Sequence, residues 1–223
     1  LEAYGMGLSN VVFMGMGEPL LNYGNVLQGI DYVVSPEGLN MAAKRITVST
    51  AGIAKMITKL GDDGVRFNLA LSLHAANDKK RNTIMAINET NNLEVLVESL
   101  NYFYEKTGGR ITFEYILFDK FNDSRADAEE LVKLCRKVPG ARVNIIEYNN
   151  VDQVPYTKTD EERRNEFIKY LEALATAASP LKPADTAARA KAAAAESKDA
   201  ARVFKGSGVL VKGQQPGGGL PPA

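Results

Sequence analysis

Five apolar, β-rich runs alternate with amphipathic helical patterns along the chain, and this alternation restricts the fold more than any other feature. The runs occupy residues 10–14, 45–50, 67–75, 111–118 and 142–149. Segments with an apolar period of about 3.6 residues follow them, at 25–34, 53–63, 93–106, 126–138 and 160–174. Such alternation predicts a parallel sheet covered by helices, either as an open doubly wound sheet or as a full or partial barrel.

Polar residues collect where the predicted strands end. The stretches are GMGEP at 15–19, ST at 49–50, SLH at 72–74, FD at 118–119 and EYN at 147–149. Because the carboxyl ends of parallel strands share one edge of the sheet, these residues are expected on a common rim. That rim is where parallel α/β folds bind their ligands.

Charge and composition remove some classes of protein. The 27 basic and 27 acidic side chains cancel, so the net charge does not indicate a nucleic-acid partner, although a local basic patch remains compatible with one. No apolar run approaches the roughly 20 residues of a membrane span, and no secretory-signal pattern is present. We therefore expect a cytoplasmic monomer without a membrane partner.

The composition changes at about residue 174, which predicts a domain boundary. Residues 1–174 are interpreted as the folded core, and residues 175–223 as an alanine-rich, poorly ordered tail outside it. Alanine favours a helix over 186–202, whereas the glycines and prolines after Gly206 favour disorder.

Four blocks of sequence carry a resemblance to a known family. They are VVFMGMGEPLLN at 11–22, KRITVSTAGI at 44–53, LALSLHAAND at 69–78 and VNIIEYN at 143–149. In this order they resemble the radical-SAM adenine C2-methyltransferases of ribosomal RNA, the RlmN type with its relative Cfr. The resemblance extends over about residues 4 to 172.

The resemblance implies a fold, two cofactors and RNA partners. Members hold a [4Fe–4S] cluster and S-adenosylmethionine in the mouth of a partial (β/α)6 barrel, and they methylate adenine in 23S rRNA and in some tRNAs. The five predicted strands match the second to sixth of that barrel, so the expected α/β fold is a partial (β/α)6 radical-SAM barrel lacking its first strand. The cluster-binding CxxxCxxC and the methyl-carrying cysteine of the family have no counterpart here, and we expect a sequence truncated at both ends.

The cysteine content bears directly on the cluster. Cluster irons are held by thiolates, and the chain contains a single cysteine, Cys135. Cys135 follows Leu134 in a helical pattern, so it is interpreted as a small buried residue. We expect no cluster and no other metal site on this chain, and no methyltransferase activity from the chain by itself.

The first predicted site residues follow the first two strands. Gly17 allows a ligand to approach the backbone, and Glu18 presents an acceptor for an ammonium group. The resemblance assigns both to the methionine part of S-adenosylmethionine. Ser49 ends the second strand, where the resemblance implies a cofactor contact; by itself such a serine is more often a helix cap.

The remaining predicted site residues follow the third and fifth strands. The resemblance implies cofactor contacts at Ser72, Leu73 and His74, partly through backbone groups. His74 is interpreted as a binding residue rather than an acid or base. Asn149 carries an amide that can both donate and accept, and so can recognise an adenine edge; a turn residue is the alternative interpretation.

Other functions remain open from the sequence. The chain is either a radical-SAM RNA methyltransferase represented in part or a noncatalytic remnant with at most weak nucleotide or RNA binding. A CxxxCxxC motif just upstream in the same reading frame would separate the two. A different βα-barrel enzyme would use Glu114, Asp119 and Asp123 as acids. Cations in NDKKRN at 77–82 and at 44–45 could meet RNA phosphates, but solvated loops are the favoured interpretation.

Overall fold

A computed structural model describes residues 8–151, 154–177 and 211–213 of the chain. Within these ranges the strands are β1 Val11–Phe13, β2 Ile46–Thr50, β3 Asn68–Ser72, β4 Ile111–Leu117, β5 Arg142–Glu147 and β6 Val211–Gly213. The α-helices in the same ranges are α1 Tyr23–Val34, α2 Ala54–Asp62, α3 Asp78–Ile84, α4 Leu93–Thr107, α5 Arg125–Arg136 and α6 Glu161–Ala177.

The order of the strands decides between the two predicted architectures. Each strand pairs in parallel with the next one in sequence, in the order β1-β2-β3-β4-β5-β6. Right-handed crossovers between sequential neighbours put the connecting helices on one face of the sheet. A doubly wound sheet requires a reversal of strand order, and the described sheet has none. The predicted α/β partial barrel is therefore confirmed.

Side chains alternate between the two faces of each strand and so build one apolar and one polar face. In β2, Ile46 and Val48 are fully buried toward the helices, whereas Ser49 is half-buried on the opposite face. We call this opposite face the concave face. It carries a polar row in which Ser72 of β3 is in register with Glu114 of β4, and Glu114 with Asn144 of β5.

The predicted elements of the core agree with the structure except at three places. Strand β3 ends at Ser72, so Leu73 and His74 lie just beyond it. Strand β5 ends at Glu147, so Asn149 lies in the loop beyond it. The polar segment at 77–82 is also helical rather than a loop, because the Asn77 side chain caps α3 by accepting from the Lys80 N–H at 2.8 Å. The apolar period is missing there because a charged residue, Arg81, occupies the buried position. Cys135 is buried in α5 as predicted.

The predicted tail is described only in part. Strand β6 comes from this segment and pairs with β5, whereas the expected helix at 186–202 and most of the expected disorder lie outside the described residues. The proposed boundary at residue 174 stays a prediction. Among the residues described, none of the helices has both the length and the apolar character that crossing a membrane requires.

Candidate functional site

The loop after β1 leaves its backbone open on one side. Gly17 has a φ of +91°, in the left-handed region that favours glycine. Apart from the adjoining residues, no described part of the chain lies within 4 Å of where a Cβ would stand at Gly15 or at Gly17. The side chain of Met16, between them, is fully exposed. A ligand can therefore reach this backbone without displacing a side chain.

Glu18 joins that loop to the end of β2. Its carboxylate accepts from the Leu20 N–H at 3.0 Å and from the Ala51 N–H at 2.6 Å, one bond to each oxygen. Each oxygen keeps a further lone pair, and the residue is only half-buried. Glu18 thus anchors the rim and still presents acceptors to a cationic group.

Two serine hydroxyls on the concave face are available to a ligand. Ser49 and Ser72 are both half-buried, near the carboxyl ends of β2 and β3. Within the described part of the chain, neither Oγ has a hydrogen-bond partner and neither is sealed from solvent. They can donate to or accept from a ribose hydroxyl, and they can donate to a carboxylate.

The side chain of Leu73 belongs to the core beside the site. Its side chain is fully buried, and its N–H donates to the Glu114 carbonyl at 2.9 Å. Its own carbonyl accepts from the Ala75 N–H at 2.7 Å and from the Arg81 Nε at 3.2 Å. A role for Leu73 in ligand contact would therefore have to involve these backbone groups, since its side chain is not accessible.

His74 is held in one orientation and in one protonation state. Its backbone is left-handed, with a φ of +56°. Its Nδ1 accepts from the Ile116 N–H at 3.2 Å, and its carbonyl accepts from the Asn122 Nδ2 at 2.7 Å. Burial, with a smaller contribution from the charge of Arg81, lowers the imidazole pKa to about 4. At neutral pH the ring is therefore uncharged, with its proton on Nε2.

The Nε2–H of His74 is then a free donor, because no described residue accepts from it and the atom is not sealed from solvent. Asn149 stands apart from the other predicted residues. It is exposed in the loop after β5, and no hydrogen bond joins it to them within the described chain. The structure thus brings Glu18 to the end of β2, and leaves Asn149 in the loop after β5 without a direct link to it.

Arg81 is the residue of this region that sequence reasoning missed. It lies in the charged segment NDKKRN, interpreted above as a solvated loop or as contacts to RNA phosphate. In the structure Arg81 is fully buried, and the neighbouring Lys80 pairs with Asp127 at 2.5 Å. Asparagine is a residue type that often caps helices, so Asn77 was an available signal for a helix here that the sequence analysis did not use. No pattern in the sequence indicates that Arg81 is buried.

The acids suggested for a different βα-barrel enzyme are engaged separately, and Asp119 pairs with the neighbouring Lys120 at 3.7 Å. Glu114 lies inside β4, where it accepts from the Asn144 Nδ2 at 2.6 Å. Asp123 pairs with Arg163 of α6 at 2.8 Å and accepts from the Thr159 hydroxyl at 3.3 Å. Among the described residues, no three His, Cys, Asp or Glu side chains are arranged to hold a metal ion.

The two cofactors of the family fit this chain differently. An iron–sulfur cluster does not fit, because Cys135 is the single cysteine in the sequence and is buried in α5, where burial raises the pKa of its thiol. An adenosyl amino acid fits better, since the rim offers carboxylate acceptors, two hydroxyls and one imidazole donor beside an open backbone.

Comparison with known proteins agrees with these features. No family model matches the chain. It is 60% identical over 170 residues to the probable dual-specificity RNA methyltransferase RlmN of Cytophaga hutchinsonii, covering 76% of this chain and 46% of that protein. It is 50% identical over 166 residues to the protein of the same name from Flavobacterium psychrophilum, covering 74% and 48%.

Solved structures support the same relationship. A radical SAM methyltransferase from Sphaerobacter thermophilus matches with a TM-score of 0.73 and 38% identity, over 77% of this chain and 50% of that one. A domain of pyruvate-formate lyase-activating enzyme from Bacteroides vulgatus shares the fold, with a TM-score of 0.55 and 15% identity, over 74% of this chain and 94% of that one.

These similarities, together with the parallel α/β fold, identify the matched segment as part of a radical-SAM methyltransferase core. The matched segment belongs to the RlmN family within that class, which confirms the resemblance carried by the four sequence blocks. The chain spans about half the length of the curated relatives it matches, with coverage of 46% and 48% in the two proteins above.

Proposed function

We propose that this chain is the S-adenosylmethionine-binding part of a radical-SAM methyltransferase that modifies C2 of adenine in 23S rRNA, and also in tRNA. The RlmN relatives are named as dual-specificity RNA methyltransferases, which supports an RNA substrate. Since ribosomal RNA is a cytoplasmic substrate, the proposal includes a cytoplasmic location. It also includes a monomeric protein. The observation that carries the proposal is the group of free donors at one rim, Ser49 Oγ, Ser72 Oγ and His74 Nε2.

Each rim residue has a role suited to its chemistry. The open backbone at Gly17 would admit the amino-acid end of the cofactor, and Glu18 would accept from its ammonium group. The two serine hydroxyls would bind the ribose or the carboxylate, while the neutral His74 would donate from Nε2. Asn149 would recognise an adenine edge. When bound, S-adenosylmethionine supplies the methyl group and, in the family, the radical.

The chain by itself is proposed to bind cofactor without turning it over. The cluster of the family needs three cysteine thiolates. Cys135 is the single cysteine of this chain and lies in the core. Without a cluster, a few hydrogen bonds of about 1 kcal/mol each and the burial of adenine have to hold the cofactor. We expect a dissociation constant of about 1 mM at best, or about 4 kcal/mol of binding free energy.

Titration with S-adenosylmethionine, followed by calorimetry or ligand-observed NMR, tests this proposal. Glu18→Ala and Asn149→Ala should each weaken binding. Glu37→Ala is the matched control, because Glu37 is exposed between α1 and β2. If both rim variants bind as the unmodified chain does, these positions are not the cofactor site.

A further inference from the structure

The buried guanidinium of Arg81 is bonded almost entirely to backbone carbonyls. From α3 it donates to the Ala51 carbonyl at 2.7 Å, to the Ser72 carbonyl at 3.1 Å and to the Leu73 carbonyl at 3.2 Å. Its remaining bond goes to the Asn88 Oδ1 at 2.6 Å. We call Arg81 and these three carbonyl groups the carbonyl clamp.

The carbonyl clamp joins the two strand ends that carry most of the rim. Ala51 directly follows β2, and Ser72 ends β3. The Ala51 N–H is also the donor that holds Glu18, so the clamp and the loop after β1 meet at one residue. One planar group therefore links the two chain segments just beyond the last paired residues of β2 and β3, Thr50 and Leu71.

The clamp also borders the unusual backbone of His74. The Leu73 carbonyl that accepts from Arg81 also accepts from the Ala75 N–H at 2.7 Å, which closes a tight turn around His74. A φ of +56° is uncommon for a residue with a side chain and persists where its surroundings enforce it. The clamp bonds the carbonyl of the residue before His74, whereas Ile116 and Asn122 bond the ring and the carbonyl of His74 itself.

Arginine is suited to this task in a way that other residues are not. Burying a cation among neutral acceptors is unfavourable, and burial lowers the Arg81 pKa to about 10. A lysine ammonium could bond some of these carbonyls but would not fix them in one plane. The guanidinium is a rigid fork whose donors keep fixed directions. That rigidity is what holding strand ends at a set spacing requires.

We propose that Arg81 is a positioning residue of the cofactor site. The carbonyl clamp holds the ends of β2 and β3 so that the Ser49 and Ser72 hydroxyls and the His74 Nε2–H converge on one nucleoside-type ligand. This inference rests on the proposed function and extends it. Arg81 acts by holding the strand ends and does not itself contact the ligand.

Arg81→Lys tests the clamp with two separate measurements. His74 is the single histidine of the chain, so ¹⁵N-labelled histidine reports its tautomer and pKa without ambiguity. Ligand-observed NMR with S-adenosylmethionine reports the affinity. Lys79→Ala is the matched control, because it removes an exposed cation from the same helix without touching the clamp.

In Arg81→Lys we expect the His74 pKa to rise by at least about one unit toward its ordinary value. The single Nε2–H tautomer should give way to a mixture, and cofactor affinity should fall at least fivefold. Lys79→Ala should leave the His74 pKa, the His74 tautomer and the cofactor affinity unchanged. A lower melting temperature with an unaltered His74 signal and unaltered affinity would overturn the proposal, since that is the result of a purely structural role.

Two further results separate this inference from the proposed function. If the unmodified chain binds no S-adenosylmethionine but Arg81→Lys still changes the His74 tautomer, the clamp stands and the proposed function fails. If Arg81→Lys does not fold, the titration and tautomer of His74 in the unmodified chain still test the proposal. A His74 that titrates near its ordinary pKa with mixed tautomers would show that its surroundings do not hold the ring, which overturns the proposal.

Discussion

Single residues at the rim combine a structural bond with a free ligand-binding group. Glu18 holds the Ala51 and Leu20 N–H groups and keeps one lone pair on each oxygen. His74 uses Nδ1 to accept from Ile116 and leaves Nε2–H free. The structural bond fixes the direction of the free group, so little rotamer entropy remains to be lost when a ligand binds.

The shifted pKa of His74 predicts a pH-dependent stability. Folding lowers the pKa from 6.5 to about 4, so the unfolded chain binds the proton more tightly. The free energy of unfolding is therefore highest above pH 6.5, where the imidazole is neutral in both states. As the pH falls from 6.5 toward 4, His74 lowers the free energy of unfolding by up to about 3 kcal/mol. Urea unfolding between pH 7 and pH 4.5 measures it.

His74→Asn is the control for this measurement, because asparagine tolerates a positive φ and does not titrate. Carboxylates titrate in both proteins over the lower part of this range, so the difference between the two pH profiles isolates the imidazole. Parallel profiles would show that the ring is not held neutral by the fold.

At the scale of elements, side-chain caps begin helices α3, α4 and α5. Asn77 caps α3 and Asn92 caps α4. Helix α5 has a capping box, in which the Ser124 side chain accepts from the Asp127 N–H and the Asp127 side chain accepts from the Ser124 N–H at 3.1 Å. These caps satisfy N–H groups that the helices themselves leave without partners.

We expect Ser124→Ala to destabilise the protein by about 1 kcal/mol, because it removes the side-chain acceptor of the capping box. Chemical denaturation at neutral pH gives the change in the free energy of unfolding. Ser9→Ala is the control, since Ser9 is exposed ahead of β1 and caps no helix. Equal stability of the two variants would mean that Asp127, through its pair with Lys80, holds the end of α5 without the serine.

At the scale of the whole molecule, the outer edge of β1 is open to pairing with another chain. Within the described residues β1 pairs only with β2. Val12 is 57% exposed, and Met14 and Met16 beside it are also exposed. An unpaired, apolar strand edge invites pairing with another chain.

We therefore expect the chain to self-associate as its concentration rises, and Val12→Lys to reduce that association by placing a charge on the edge. Light scattering over a concentration series measures the effect. Val95→Lys is a suitable control, because Val95 is an exposed apolar residue on α4, away from the edge. A monodisperse unmodified chain at high concentration would contradict the prediction.

Cluster chemistry is also a property of the whole chain. After anaerobic reconstitution with iron and sulfide, we expect no absorption band near about 400 nm and no stoichiometric iron, because one buried thiol cannot replace the thiolates of a cluster. Iron analysis and absorption spectra before and after chelation provide the measurement. About four irons per chain, released by a chelator, would contradict it.

Much of the fold follows from the sequence because its signals are local. Apolar runs and helical periods located β1 to β5, α1, α2, α4, α5 and α6 to within a few residues. The polar strand ends and the four sequence blocks pointed to the rim and the family, and Cys135 was recognised as a core residue. Each of these depends on a few neighbouring residues, which a single sequence contains.

Contacts between distant residues were decided only by the tertiary structure. Sequential strand order, which makes a partial barrel rather than a doubly wound sheet, depends on which strands pair and leaves no local pattern. Arg81 resembled a solvated cation because its partners, Ala51 and Ser72, lie 30 and 9 residues away in the chain. The free Nε2–H of His74 likewise depends on Ile116, 42 residues distant. Local residue types thus determined the elements and the family, whereas packing across the sheet decided which polar groups are already bonded and which remain free.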